Sequence, residues 1–140
     1  MKEKVFLDTN ILMDIVEGRP NRQFAETIIE LGKNGSIDLF ASYLSYANMG
    51  YIYRHLRQEE RYRLIQRARN VATVLSCDAL QLDNTLAQPV KDYEDMLQYQ
   101  CALEAGCDVV ITNNKWDFYE FCDLPFMTAE EYLLQYDGEI

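Results

Sequence analysis

The sequence predicts an α/β protein, a three-layer α/β/α sandwich with a short, mostly parallel central sheet. Three observations carry that prediction. Short β-prone apolar runs recur along the 140 residues, segments with helical spacing separate them, and Gly and Pro are too sparse to mark a linker. No internal repeat or low-complexity tract occurs, so residues 1–140 are expected to form one domain.

Taken in order, Lys4 to Leu7 is a β-prone run that Asp8 closes, and residues 10–17 form a helix that Gly18 and Pro20 stop. Phe24, Ile28 and Leu31, at spacings of four and three, predict a second helix closed by Asn34 and Gly35. Ile37 to Ala41 reads as a strand, and helical patterns follow over about 43–57 and 59–76. Leu80 to Leu82 is expected to be a short strand. Asp92 to Leu103 is a strong helix ended by Gly106, and Asp108 to Thr112 is the clearest strand of the chain. A last short strand, Leu124 to Met127, precedes a helix opened by a capping box of Thr128 and Glu131. Strands alternating with helices pair in parallel and carry helices on both faces.

An apolar share of 49% supports a core in a domain of this size and excludes disorder. No apolar run approaches the roughly 20 residues of a membrane helix, and Met1 to Lys4 leads into the first strand without a signal-peptide pattern. The expectation is a cytoplasmic chain with no membrane association. Cys77, Cys101, Cys107 and Cys122 show neither CxxC spacing nor interleaved histidines, so each is expected to be a small core residue, in keeping with that compartment.

The net charge of −10 argues against a general nucleic-acid coat, but its distribution is uneven. Residues 54–77 carry six arginines and two glutamates, whereas residues 78–140 carry two basic and fourteen acidic side chains. The stretch from Arg54 through Arg57, Arg61, Arg63, Arg67 and Arg69 has two explanations. It is a solvated helix face paired locally by Glu59 and Glu60, or a phosphate-contacting surface whose interleaved Tyr51, Tyr53 and Tyr62 stack on unpaired bases. His55 is expected on the surface of that helix.

In an open parallel sheet, ligands bind outside the carboxyl ends of the strands, where helix first turns also lie. Asp8 closes the first strand, Asp92, Glu94 and Asp95 open a helix, and Asn113 to Asp117 follow the strand 108–112. Bare carboxylates on one rim repel each other, and a hard divalent cation with oxygen ligands, Mg²⁺ or Mn²⁺, is the usual remedy. Each acid also has a local explanation, as an N-cap or as a favourable charge in a helix first turn. A metal held by a few carboxylates keeps positions for water and phosphate oxygens, which suits phosphodiester hydrolysis. An aspartyl-nucleophile phosphatase would want a second acid two residues after Asp8, where Asn10 stands.

These residues also resemble a family, the PIN domains, metal-dependent ribonucleases that include VapC-type toxins of bacterial toxin–antitoxin pairs. Val5 to Asp14 is similar to the family's opening strand and loop, Asp92 to Gln98 to its central acidic helix start, and Ile111 to Phe118 to its closing Thr-x-Asn-x-x-Asp-Phe motif. The resemblance implies a PIN-like fold in which Asp8, Asp95 and Asp117 bind one or two Mg²⁺ or Mn²⁺ ions, with Glu94 and Asn114 completing the catalytic set. Thr9, Asn10, Asn48, Thr112, Arg54, Arg57 and Arg61 would then serve the substrate, an RNA with an accessible single-stranded site cut to a 5′-phosphate and a 3′-hydroxyl. It also implies an antitoxin protein as partner and assembly as a dimer. One position departs from the family: Asn48 stands where many members carry a glutamate. That substitution leaves an alternative, a catalytically weak or inactive module that binds RNA or a protein partner.

Overall fold

The computed structural model describes residues 2–136. The chain runs β1 (Glu3–Leu7), α1 (Thr9–Glu17), α2 (Arg22–Lys33), β2 (Ile37–Ser42), α3 (Tyr43–Ile52), α4 (Gln58–Arg69) and β3 (Thr73–Leu75). It continues with α5 (Ala79–Leu86), α6 (Tyr93–Glu104), β4 (Val109–Ile111), α7 (Lys115–Phe118), β5 (Phe126–Met127) and α8 (Ala129–Gln135). The five strands form one all-parallel sheet in the order β3-β2-β1-β4-β5.

Side-chain alternation along β1 makes the sandwich, since successive residues of a strand face opposite sides. Val5 and Leu7 face a core shared with Ile11 and Leu12 of α1, Ile28 and Leu31 of α2, and Tyr132 of α8. Phe6 faces a second core built by Met96, Tyr99 and Ala102 of α6, Val110 of β4 and Phe118 of α7. The expected α/β/α layering is therefore present. Gly18 caps α1 in the left-handed region at φ 69°, which the absence of a Cβ allows, and Gly106 follows α6 in the same way at φ 72°.

Three elements differ from the sequence expectation. The helix expected to run to residue 76 ends at Arg69, and Thr73–Leu75 is an edge strand. Val71, Val74 and Leu75 continue the helical spacing, but only strand pairing with Phe40, Ala41 and Ser42 gives residues 73–75 backbone partners. The helix expected over 43–57 stops at Ile52, which leaves Arg54, His55 and Arg57 in the turn before α4. Leu80 to Leu82 is helical, because Asp78 accepts the Leu80 N–H (2.9 Å) while its own N–H donates to Gln81 Oε1 (2.9 Å).

The cysteines also correct an expectation. Cys77, just before α5, and Cys101, on α6, are joined in a disulfide with Cα atoms 6.0 Å apart, while Cys107 and Cys122 are free thiols. The two partners lie 24 residues apart, and only the packing of α5 against α6 brings them together. Among the described residues, no helix is long and apolar enough to cross a membrane.

Candidate metal centre

Strand β1 pairs with β2 on one side and β4 on the other, so the chain order reverses across β1. Such a switch point opens a crevice at the carboxyl ends of the strands. The backbone delivers acids there by three routes. Asp8 follows the last residue of β1 and donates its N–H to Ile111 O of β4 (3.0 Å), and its carboxylate caps α1. Asp92 caps α6 by accepting the Asp95 N–H (2.9 Å), which sets Asp95 one turn further on the same helix. Asp117 sits on the short α7, reached directly from β4.

The ligand oxygens of Asp92, Asp95 and Asp117 lie within 4.8 Å of one another. Asp8, Glu94 and Asp95 line a single cavity of about 340 Å³ together with Asp92, Thr9, Asn10, Asn48, Gln98 and Asn114. The sequence-derived trio of Asp8, Asp95 and Asp117 is thus gathered at one edge. Asp92, which also caps α6, stands inside the cluster with them.

Asp8 is held rigidly. Its Oδ1 accepts the Thr9 N–H (2.8 Å), and its Oδ2 accepts the Thr112 hydroxyl (2.8 Å), which in turn accepts the Asn114 N–H (2.9 Å). Thr112 is fully buried behind Asp8, so it positions that carboxylate rather than facing the cavity. Asn113 turns away and donates to the buried Asp14 (2.8 Å), anchoring the same loop to α1. Beside it, the Thr9 and Ser45 hydroxyls lie 2.7 Å apart, and Gln98 donates to both (3.2 and 3.1 Å). Ser45 and Gln98 escaped sequence reading. Gln98 carried a signal, since Asp92, Asp95 and Gln98 recur every three residues and so share one face of α6; Ser45 carried none.

Charge is concentrated here without relief. Burial pushes the Asp95 carboxyl from 3.8 up to about 8, aided by the charges of Asp8, Asp92 and Asp117. Burial raises Asp8 to about 6, even though its bonds from Thr112 and Thr9 act in the opposite direction. Asp95 Oδ2 and Gln98 Oε1 are buried with no hydrogen-bond partner. Buried acceptors rarely stay unpaired, and a cation is the complement both lack. The donor set is all oxygen with no thiolate or imidazole, which suits a hard divalent ion rather than zinc.

The arginine stretch reaches this site at one end only. Tyr51 and Ile52, the last residues of α3, line the cavity, and the Arg54 guanidinium lies 3.9 Å from the Tyr51 ring centre. Arg57 pairs with Glu59 (3.7 Å) and Arg61 leans over Tyr62; neither lines the cavity. Tyr53 is buried with its hydroxyl bonded to Glu17 (2.5 Å), so it cannot stack on a ligand. Tyr62 lines a separate groove with Tyr43 and Tyr46. His55 is exposed, as expected, but in the turn rather than on the helix.

Comparison with known proteins agrees with this architecture. The sequence pattern of the family described as PIN domain matches residues 4–116. Ribonuclease VapC1 of Aquifex aeolicus (strain VF5) is 26% identical over 136 residues, covering 93% of each chain. In fold, the chain matches VapBC2 from Rickettsia felis, solved bound to a DNA fragment from its promoter, with a TM-score of 0.70 at 15% identity over 88% of this chain and 96% of that one. It also matches a toxin–antitoxin complex from Klebsiella pneumoniae with a TM-score of 0.64 at 21% identity, over 89% and 97% of the two chains.

Proposed function

The chain belongs to the PIN domain family, and from that premise we propose that it is a Mg²⁺- or Mn²⁺-dependent endoribonuclease, the toxin of a toxin–antitoxin pair. The observation that carries this proposal is the buried, partnerless Asp95 oxygen facing other carboxylates in the crevice. Asp8, Asp92, Asp95 and Asp117 would hold the ion. When bound, it would lower the pKa of a water and offset charge developing on the phosphate.

The chain's own residues prepare the rest. Thr112 and the Thr9 N–H keep Asp8 aimed into the cavity, and Asp92 keeps the first turn of α6 in place. Glu94 and Asn114 line the cavity, where Glu94 can take a proton from the attacking water and the Asn114 amide can donate to a phosphate oxygen. Water adds to phosphorus, the P–O3′ bond breaks, the leaving 3′ oxygen takes up a proton from solvent, and the products are a 5′-phosphate and a 3′-hydroxyl. Thr9, Asn10 and Asn48 are the neutral groups of the wall, and Arg54, Arg57 and Arg61 approach from the α3–α4 side as contacts for the RNA backbone.

In the same proposal, residues 1–140 act as a single nuclease domain in the cytoplasm, a protein antitoxin restrains it, and the working form is a dimer. The toxin–antitoxin complex among its structural matches supports the antitoxin. The Asn48 side chain in the cavity wall favours a second possibility, a module that binds RNA or a partner with little catalysis, because an amide is a weaker metal ligand than a carboxylate.

One assay separates them: cleavage of single-stranded RNA titrated with Mn²⁺, alongside Asp8→Asn and Asp95→Asn and with calorimetry for the ion. Cleavage by the wild type that both variants lose supports the nuclease. No ion binding with RNA binding intact supports the module, and equal cleavage by all three proteins means a contaminant.

A further inference from the structure

Above the carboxylate floor stands a rim of different chemistry. Tyr51 is 66% exposed and Ile52 36% exposed, although both are large apolar side chains, and both border the cavity that holds Asp8 and Asp95. The Arg54 guanidinium covers one face of the Tyr51 ring at 3.9 Å and donates to the Tyr51 carbonyl (2.8 Å). The guanidinium thus holds to one ring face while most of the Tyr51 side chain stays exposed. Among the described residues Arg54 has no carboxylate partner, in contrast to Arg57, so its outer N–H groups remain available to an anion.

A flat aromatic face beside an apolar side chain, with a fixed guanidinium behind it, has the chemistry to bind a nucleobase and the phosphate next to it. A base can reach that face only when it is unpaired and unstacked, because a paired base presents its edges and not its faces. Of the three tyrosines interleaved with the arginines, only Tyr51 borders the acidic cavity. We propose that Tyr51, backed by Arg54, is the stacking platform for the base adjoining the cleaved phosphodiester, and that it restricts the site to strands with an unpaired base there. The proposal rests on the endoribonuclease reading for the identity of the polymer.

The test uses the full chain and RNA oligonucleotides in which a single 2-aminopurine is walked through each position, with single strands and duplexes compared. Stacking on Tyr51 quenches 2-aminopurine. The expected result is quenching at one position by the wild type and by Tyr51→Phe, and its loss in Tyr51→Ala with about tenfold weaker binding. An abasic nucleotide at that position should make wild type and Tyr51→Ala bind alike, and Arg54→Ala should lower the salt slope of single-strand binding by about 0.7.

Quenching that survives Tyr51→Ala overturns the proposal and shifts attention to Trp116, which is 85% exposed next to Asp117. Absence of quenching by the wild type overturns it too and leaves the rim for a protein partner. Cleavage, measured separately, keeps the two claims apart. A Tyr51→Ala protein that cuts single strands like the wild type ends the platform and leaves the nuclease standing. A wild type that quenches but does not cut ends the nuclease and leaves the platform.

Discussion

The two ends of the same parallel sheet treat charge in opposite ways. At the amino end, the acids on the strands are partnered: Tyr132 donates to Glu3, the Lys4 N–H to Asp108 (2.8 Å), and Lys2 lies 3.9 Å from Asp38. At the carboxyl end, Asp8, Asp92, Asp95 and Asp117 converge with no lysine or arginine within ion-pair distance among the described residues. A fold that neutralises charge at one edge can do so at the other. The repulsion left at the carboxyl edge fits the proposed metal site, and the pairing at the amino edge serves stability.

The largest expected effect lies at the carboxyl edge. Asp95→Asn or Asp8→Asn should lower Mn²⁺-dependent RNA cleavage by roughly a thousandfold or more, about 4 kcal/mol in the barrier, while the protein stays folded. Single-turnover rates at saturating Mn²⁺ check this, and a loss below tenfold would remove the carboxylates from the chemistry. Thr112→Val, which frees Asp8 Oδ2 and leaves the Asn114 N–H without its acceptor, should cost roughly 10- to 100-fold in activity or metal affinity.

At the amino edge the pattern should invert. Tyr132→Phe leaves Glu3 without its buried-side partner and should lower stability by about 1–2 kcal/mol, with cleavage per folded molecule unchanged. A matching drop in rate would break the contrast between the edges.

The pH dependence of the metal-free protein sharpens it. Asp95 and Asp8 have folded pKa values of about 8 and about 6, above the unfolded 3.8, so the native state binds protons that the unfolded chain has released. Their contribution to stability is full below about pH 4 and is lost as pH rises through 6 and then 8. The melting temperature of the metal-free protein, measured from pH 5 to 8.5, should fall with pH from this source. Asp95→Asn should flatten the fall and raise the melting temperature at pH 8.5 by roughly 3–8 °C. Added Mn²⁺ should stabilise the wild type most at high pH, where the carboxylates are ionised. The smallest effect belongs to Asp38→Ala, which breaks an exposed pair and should change stability by less than about 0.5 kcal/mol.

Local signals set the limits of what could be read from the chain. Strands β1, β2 and β4 and helices α1, α2, α6 and α8 follow from patterns of a few adjacent residues, including the capping box at Thr128 and the glycines after α1 and α6. Strand β3 and helix α5 did not, because Val71 to Leu75 satisfies a helical spacing as well as a strand, and Leu80 and Leu82 alternate as a strand would. In those two segments, pairing with β2 and the Asp78 cap decided.

By itself, the sequence determined the α/β class, the order of the main elements and the arrival of Asp8, Asp95 and Asp117 at one edge, because each depends on spacing along the chain. Only the tertiary structure decided that Gln98 and Ser45 close on Thr9 and that Cys77 meets Cys101. It also left Tyr51 as the one tyrosine of the arginine stretch that borders the cavity. Those contacts join residues 24 to 89 positions apart. No local preference encodes them; they form when two faces of the sheet are packed and burial selects which polar atoms must meet.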